Sequence, residues 1–174
     1  MHILRSWLRK AQQLADEIKV NGLAQLEKTL KALPDRLGKK VVMQALRKAA
    51  NVIKKDAQNR VPVLKEATPY RNPGTVKKAI KVRKSKQDKY GVYVGVKPLA
   101  VKKIMEFKGD SAQNPNDPYY WWQLEFGNVN MPAHPFLRPA FESNVQASIK
   151  EFENYAKDRV VVEAEKLAKE KGMK

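Results

Sequence analysis

The sequence predicts an α+β fold: a small antiparallel sheet packed against a long helix, with long N- and C-terminal helices. Three observations carry this. Leu37, Val41, Ala45, Leu46, Ala49, Val52, Ile53 and Ala57 recur at helical spacing and make one apolar face. Ile80 and Val82, then Val92, Val94 and Val96, alternate with other residues on either side of Gln87-Asp88-Lys89, the pattern of an antiparallel hairpin. Phe141, Val145, Ile149, Phe152, Ala156 and Val160 mark the buried side of a last helix over residues 139–170.

The 174 residues amount to one domain by length. It divides into an N-terminal amphipathic helical extension (1–20), an α+β body (21–147) and a C-terminal helical extension (148–174).

Residues 1–18 place Ile3, Leu4, Trp7, Leu8, Ala11, Leu14, Ala15 and Ile18 at helical spacing. Charged residues interrupt this stretch and no small-residue cleavage site follows, so it does not read as a signal peptide. The helix can pack on its own domain, dock on a neighbouring subunit or lie on a membrane surface. After the break at Asn21-Gly22, Leu23, Leu26, Leu30 and Leu33 give a short helix ended by Pro34. Asp35 opens the long helix, which ends before Pro62.

Residues 61–78 read as loop, with Pro62, Pro69, Pro73 and Gly74. The first strand is expected over Ala79–Lys86 and the second over Tyr90–Val96. Gly91 and Gly95 lack the strand–loop–helix context of a phosphate-binding loop and read as strand glycines. A lone hairpin is marginal, so it must pack on the long helix or extend a sheet across subunits. After a possible helical turn over 101–107, residues 109–117 form a polar loop.

Charge is the strongest compositional signal. Thirty-five Lys and Arg against eighteen Asp and Glu give a net charge of +17. Such a chain meets an acidic partner, nucleic acid or protein, or has its field cancelled in an assembly. No helix-turn-helix, zinc-finger or aromatic RNA-binding pattern accompanies the charge, so a field without base readout fits better than sequence recognition. There is no cysteine, hence no disulfide framework and no thiolate chemistry. No apolar run is long enough for a transmembrane helix, and no membrane partner is expected.

The densest apolar run is Tyr119-Tyr120-Trp121-Trp122-Gln123-Leu124-Glu125-Phe126-Gly127. Asp117-Pro118 signals a helix start and Gly127 a helix end. A helix this short must be held by packing, so its aromatics are expected to face other parts of the fold. Pro132, Pro135 and Pro139 then enforce an extended arm that delivers the chain into the last helix near Pro139. Glu125 beside aromatics and His134 nine residues on lack a second carboxylate, a nucleophile–base pair or a nucleotide loop. No catalytic site is expected, and no cofactor or metal site. Glu125 is expected to cap a helix or to pair with Arg138.

Glu125-Phe126-Gly127, Met131-Pro132-Ala133 and Pro135-Phe136-Leu137-Arg138-Pro139-Ala140 resemble the signature of a family of tailed-phage morphogenesis proteins. These are the gene-10-like minor tail or tail-completion (head–tail joining) proteins of lambdoid siphophages. Asn128 stands where the family usually has Thr, and Gly74-Thr75 reverses the family's usual order. The resemblance implies a structural virion protein of the tail and neck, assembled in the host cytoplasm. It implies a ring at the head–tail junction, a homohexamer by analogy with tail tubes, contacting other neck and tail proteins, with nonspecific contact to phage DNA as a further expectation. Trp121, Trp122, Glu125, Phe126, Gly127, Pro132, Pro135, Phe136, Arg138 and Pro139 are the candidate interface or fold-fixing residues. Lys65, Arg71, Lys77 and Lys78 are the candidate lumen or partner contacts. The alternative from charge alone is a sequence-nonspecific nucleic-acid-binding protein.

Overall fold

The computed structural model describes residues 35–100 and 114–170. The helices expected over 1–18 and 23–33, the turn over 101–107 and the first part of the polar loop lie outside the described residues.

Helix α1 spans Asp35–Arg60, the expected bounds. Asp35 lies in its first turn and Arg60 in its last, each matching the sign that the helix dipole favours. Helix α4 spans Leu137–Glu170 without interruption. It begins two residues before Pro139, because proline is tolerated within a first turn, where its missing N–H has no intrahelical partner to lose.

The two helices run antiparallel. Val41 and Ala45 near the start of α1 pack on Ala156 and Val160 of α4. At the other end, Ala57 packs with Phe136 and Ala140. Small side chains at these contacts let the helices approach closely. Polar groups tie both ends. Asp56 accepts from Arg60 Nε at 2.8 Å and from Asn144 Nδ2 at 2.7 Å, and Arg60 also donates to Ser143. At the far end the buried Glu163 carboxylate meets Arg159 at 3.0 Å and Lys40 at 3.6 Å.

Strands β1 (Ile80–Lys84) and β2 (Val92–Val96) form an antiparallel pair with Ile80 opposite Val96, Val82 opposite Val94 and Arg83 opposite Tyr93. Both strands pack against α1. Ile80, Val94 and Val96 join the core around Ala57, Val76 and Phe136. The connection over 85–91 is tighter than the sequence shows. Ser85 Oγ accepts from the amides of Gln87 and Asp88, and a Cβ on Gly91 would stand 2.6 Å from Ser85 Cβ. Gly91 is therefore a loop glycine required by close approach, not a strand glycine.

The expected loop over 61–78 contains a helix at its end, α2 (Thr75–Ala79), so β1 begins at Ile80 rather than Ala79. Gly74, at φ 72° and ψ 13°, turns the chain into it. The Thr75 hydroxyl bonds the carbonyls of Asn72 (2.9 Å) and Pro115 (3.1 Å), fastening this turn to the start of the aromatic segment.

Candidate assembly site

The site is built on α3 (Trp121–Phe126), the arm after it, and the first turn of α4. The lead-in follows the expected signal one turn early. Asp117, buried, accepts the Tyr119 N–H at 3.1 Å, and the helix proper starts at Trp121.

A helix of six residues has one face to bury. Trp121, Leu124 and Glu125 take it, at helical spacing of three and four residues. Trp121 and Leu124 pack against the core around Phe136. Trp122 and Phe126, also four apart, fall on the opposite face. Trp122 is 45% exposed and Phe126 57%. The expectation that the aromatics all pack within the fold is corrected here for these two. Val129, just beyond, is fully exposed.

Glu125 does not pair with the Arg138 guanidinium. Its carboxylate, only 3% exposed, accepts three backbone amides of the α4 entry: Phe136 at 2.8 Å and Leu137 at 2.9 Å on Oε2, and Arg138 at 3.1 Å on Oε1. The next residue, Pro139, has no N–H. The four donors that a helix start normally leaves open are therefore all accounted for, three by one carboxylate and one by proline. The negative charge also sits at the positive end of the helix dipole. Arg138 contributes its backbone here, and its side chain points to solvent.

The arm is fixed by backbone. Gly127 adopts φ 73° and ψ 177°, a region essentially confined to glycine. A Cβ there would lie 2.8 Å from the Ala133 nitrogen. Asn128 and Met131 close a tight turn by paired backbone bonds, and His134 N–H reaches back to Leu124 carbonyl at 2.7 Å. Pro132, His134 and Pro135 are exposed, whereas Phe136 is completely buried. The arm thus inserts one aromatic anchor and leaves its prolines outside.

Arg71 lies against this region. Its guanidinium donates to Tyr119 Oη and stands 4.7 Å from the centroids of both the Tyr119 and Tyr120 rings. The two rings meet edge to face at 5.8 Å. Burial pushes the Tyr120 phenol above its ordinary value, an effect Arg71 opposes and Tyr119 reinforces. Lys65, Lys77 and Lys78 are exposed on the surface.

Among the described residues no group of His, Cys, Asp or Glu is arranged to hold a metal ion, and no helix is long and apolar enough to cross a membrane. One face of α3 is locked to the body by a buried cap, and the other presents bare aromatic surface. No curated protein and no solved structure matches the chain. A family profile does, over residues 24–127, which takes in α1, the hairpin and α3 and stops at the Gly127 bend. The chain belongs to the HK97-gp10-like family of bacteriophage tail components.

Proposed function

We propose that this tail component forms a ring at the head–tail junction, completing the tail or joining it to the head. The observation that carries the reading is the outward face of α3. Trp122, Phe126 and Val129 expose apolar surface on a segment whose backbone is rigidly held. Aromatic residues in such a setting are the usual anchors of protein interfaces. In a ring, this face meets a different face of the next copy and the rotation closes, with six copies as in a tail tube. The body over 21–147 supplies the ring, the segment 1–20 reaches a neighbour, and α4 beyond residue 147 packs back on α1 through Ala156 and Val160. Pro132, Pro135, Phe136, Arg138 and Pro139 hold the arm at the joint, and the exposed Lys65, Lys77 and Lys78 meet other neck and tail proteins.

The test is the mass of the purified protein in solution and on isolated tails, for wild type and for Trp122→Ala/Phe126→Ala. The expected result is a discrete ring-sized species, or a monomer that assembles on tails. The double variant should lose that assembly while keeping its melting temperature. A wild-type monomer that ignores tails would overturn the proposal.

A further inference from the structure

The densest charge in the chain is on α2 and the hairpin, where eight Lys and Arg face a single acid, Asp88, over residues 77–97. Register sorts the side chains. Ile80, Val82, Val94 and Val96 share the face turned to α1, so Lys81, Arg83, Tyr93 and Gly95 share the outer one. Lys81 and Arg83 are exposed, as is Tyr93 at 46%. Arg83 stands 6.0 Å from the Tyr93 ring centroid, a cation–π contact that keeps the guanidinium spread over the sheet.

Gly95 adds an independent observation. A strand glycine weakens the strand and needs a reason. Backbone conformation supplies none, since the positive-φ glycines among the described residues are Gly74 and Gly127. Packing supplies none either. A Cβ at Gly95 would meet only the Tyr93 ring, at an ordinary 3.6 Å. The bare position lies opposite Lys81. It leaves a shallow notch flanked by two cations and an aromatic ring, open to the close approach of a backbone from outside.

We propose that this outer hairpin face is a sequence-independent binding surface for duplex DNA, with Lys81 and Arg83 on phosphates and the Gly95 notch receiving the sugar–phosphate backbone. Cations two apart on a strand repeat at about 6.8 Å, close to the separation of successive phosphates along one DNA strand, roughly 7 Å once the twist is added to the axial rise. A protein partner fits the face less well, because lysine is depleted at protein interfaces and the face lacks an apolar anchor beyond Tyr93. The proposal rests on the tail reading only for the choice of DNA as the polyanion.

The test is anisotropy of a short labelled duplex with the full chain across a salt series. Wild type should bind with a steep salt slope. Lys81→Ala/Arg83→Ala should weaken binding at least tenfold and reduce the slope by about 2. The exposed helix pair Lys39→Ala/Lys55→Ala, which removes equal charge, should cost less than threefold. Gly95→Val should weaken binding about fivefold at unchanged slope and melting temperature. Equal loss in the two double variants would overturn the proposal in favour of a diffuse field. Binding to polyglutamate but not to the duplex would overturn it in favour of an acidic protein partner. Ring assembly is read separately by mass, so either result stands without the other.

Discussion

Glu125 Oε2 accepts the backbone N–H of Phe136 at 2.8 Å, across eleven residues of chain that include the whole proline arm. One side chain on α3 thereby closes the arm and starts α4. Removing it exposes three buried or half-buried donors at once. Glu125→Ala is expected to cost about 3 kcal/mol, combining a lost cap with unsatisfied buried amides. Arg138→Ala, which removes only an exposed side chain, should stay within about 0.5 kcal/mol. Thermal or urea melts of the two variants check this, and equal losses would refute the capping assignment.

Gly127 and Gly74 both have positive φ, 73° and 72°, yet they differ in surroundings. A Cβ at Gly127 would press on the Ala133 backbone, whereas at Gly74 it would meet nothing within 4 Å. Gly74→Ala should cost about 1 kcal/mol, from conformation alone. Gly127→Ala adds a backbone clash in a glycine-only region and should cost more than about 2 kcal/mol. Comparative melts would show that order, and the reverse order would contradict the geometry of the arm.

Phe136 and Phe126 make the opposite pair. Phe136 is fully buried and Phe126 is 57% exposed. Phe136→Ala should destabilise by about 4 kcal/mol, the range for emptying an aromatic site in a core. Phe126→Ala should change the melting temperature little while altering association. Chemical denaturation combined with light scattering separates the two effects.

Much of the fold is legible in the sequence because its carriers are periodic. The spacing from Leu37 to Ala57 with Asp35 and Pro62 at its ends gives α1, and the valine alternation gives the sheet's inner face. Helix α2 escapes because five residues are too few to show a period. The Glu125 contact was half legible. A carboxylate among aromatics calls for a partner, and the sequence leaves a helix cap and the Arg138 guanidinium as alternatives, because a backbone amide leaves no letter by which to choose; the three amides at the α4 entry make it the cap. The exposure of Trp122 and Phe126 had a readable signal that apolar density masked. Residues four apart share a face, and Trp121, Leu124 and Glu125 already occupy the other.

Tyr120 gives a pH prediction. Its folded phenol titrates above the ordinary value of 10.0, burial being the leading cause. The unfolded chain thus loses this proton first as pH rises. The associated stability is fully present below pH 10 and is lost as pH climbs through the folded value. Tyr120→Phe should flatten that part of the alkaline stability profile, measured by denaturation at stepped pH. A profile unchanged by the substitution would exclude Tyr120 as its source.

The antiparallel pairing of α1 with α4 also sets when the molecule can fold. Ala45 and Ala156 belong to one core cluster, so most of the chain lies between partners that must meet. At ribosomal rates of roughly 5–20 residues per second, α1 emerges several seconds or more before the helix that covers it. Its buried positions are Gly38, Val41, Ala45, Ala49 and Ala57, small side chains that offer little surface for mispairing during the wait. The alanines that allow the close contact in the finished fold thus add little apolar surface to the waiting helix, whose larger side chains Leu46, Val52 and Ile53 are only half-buried even at the end.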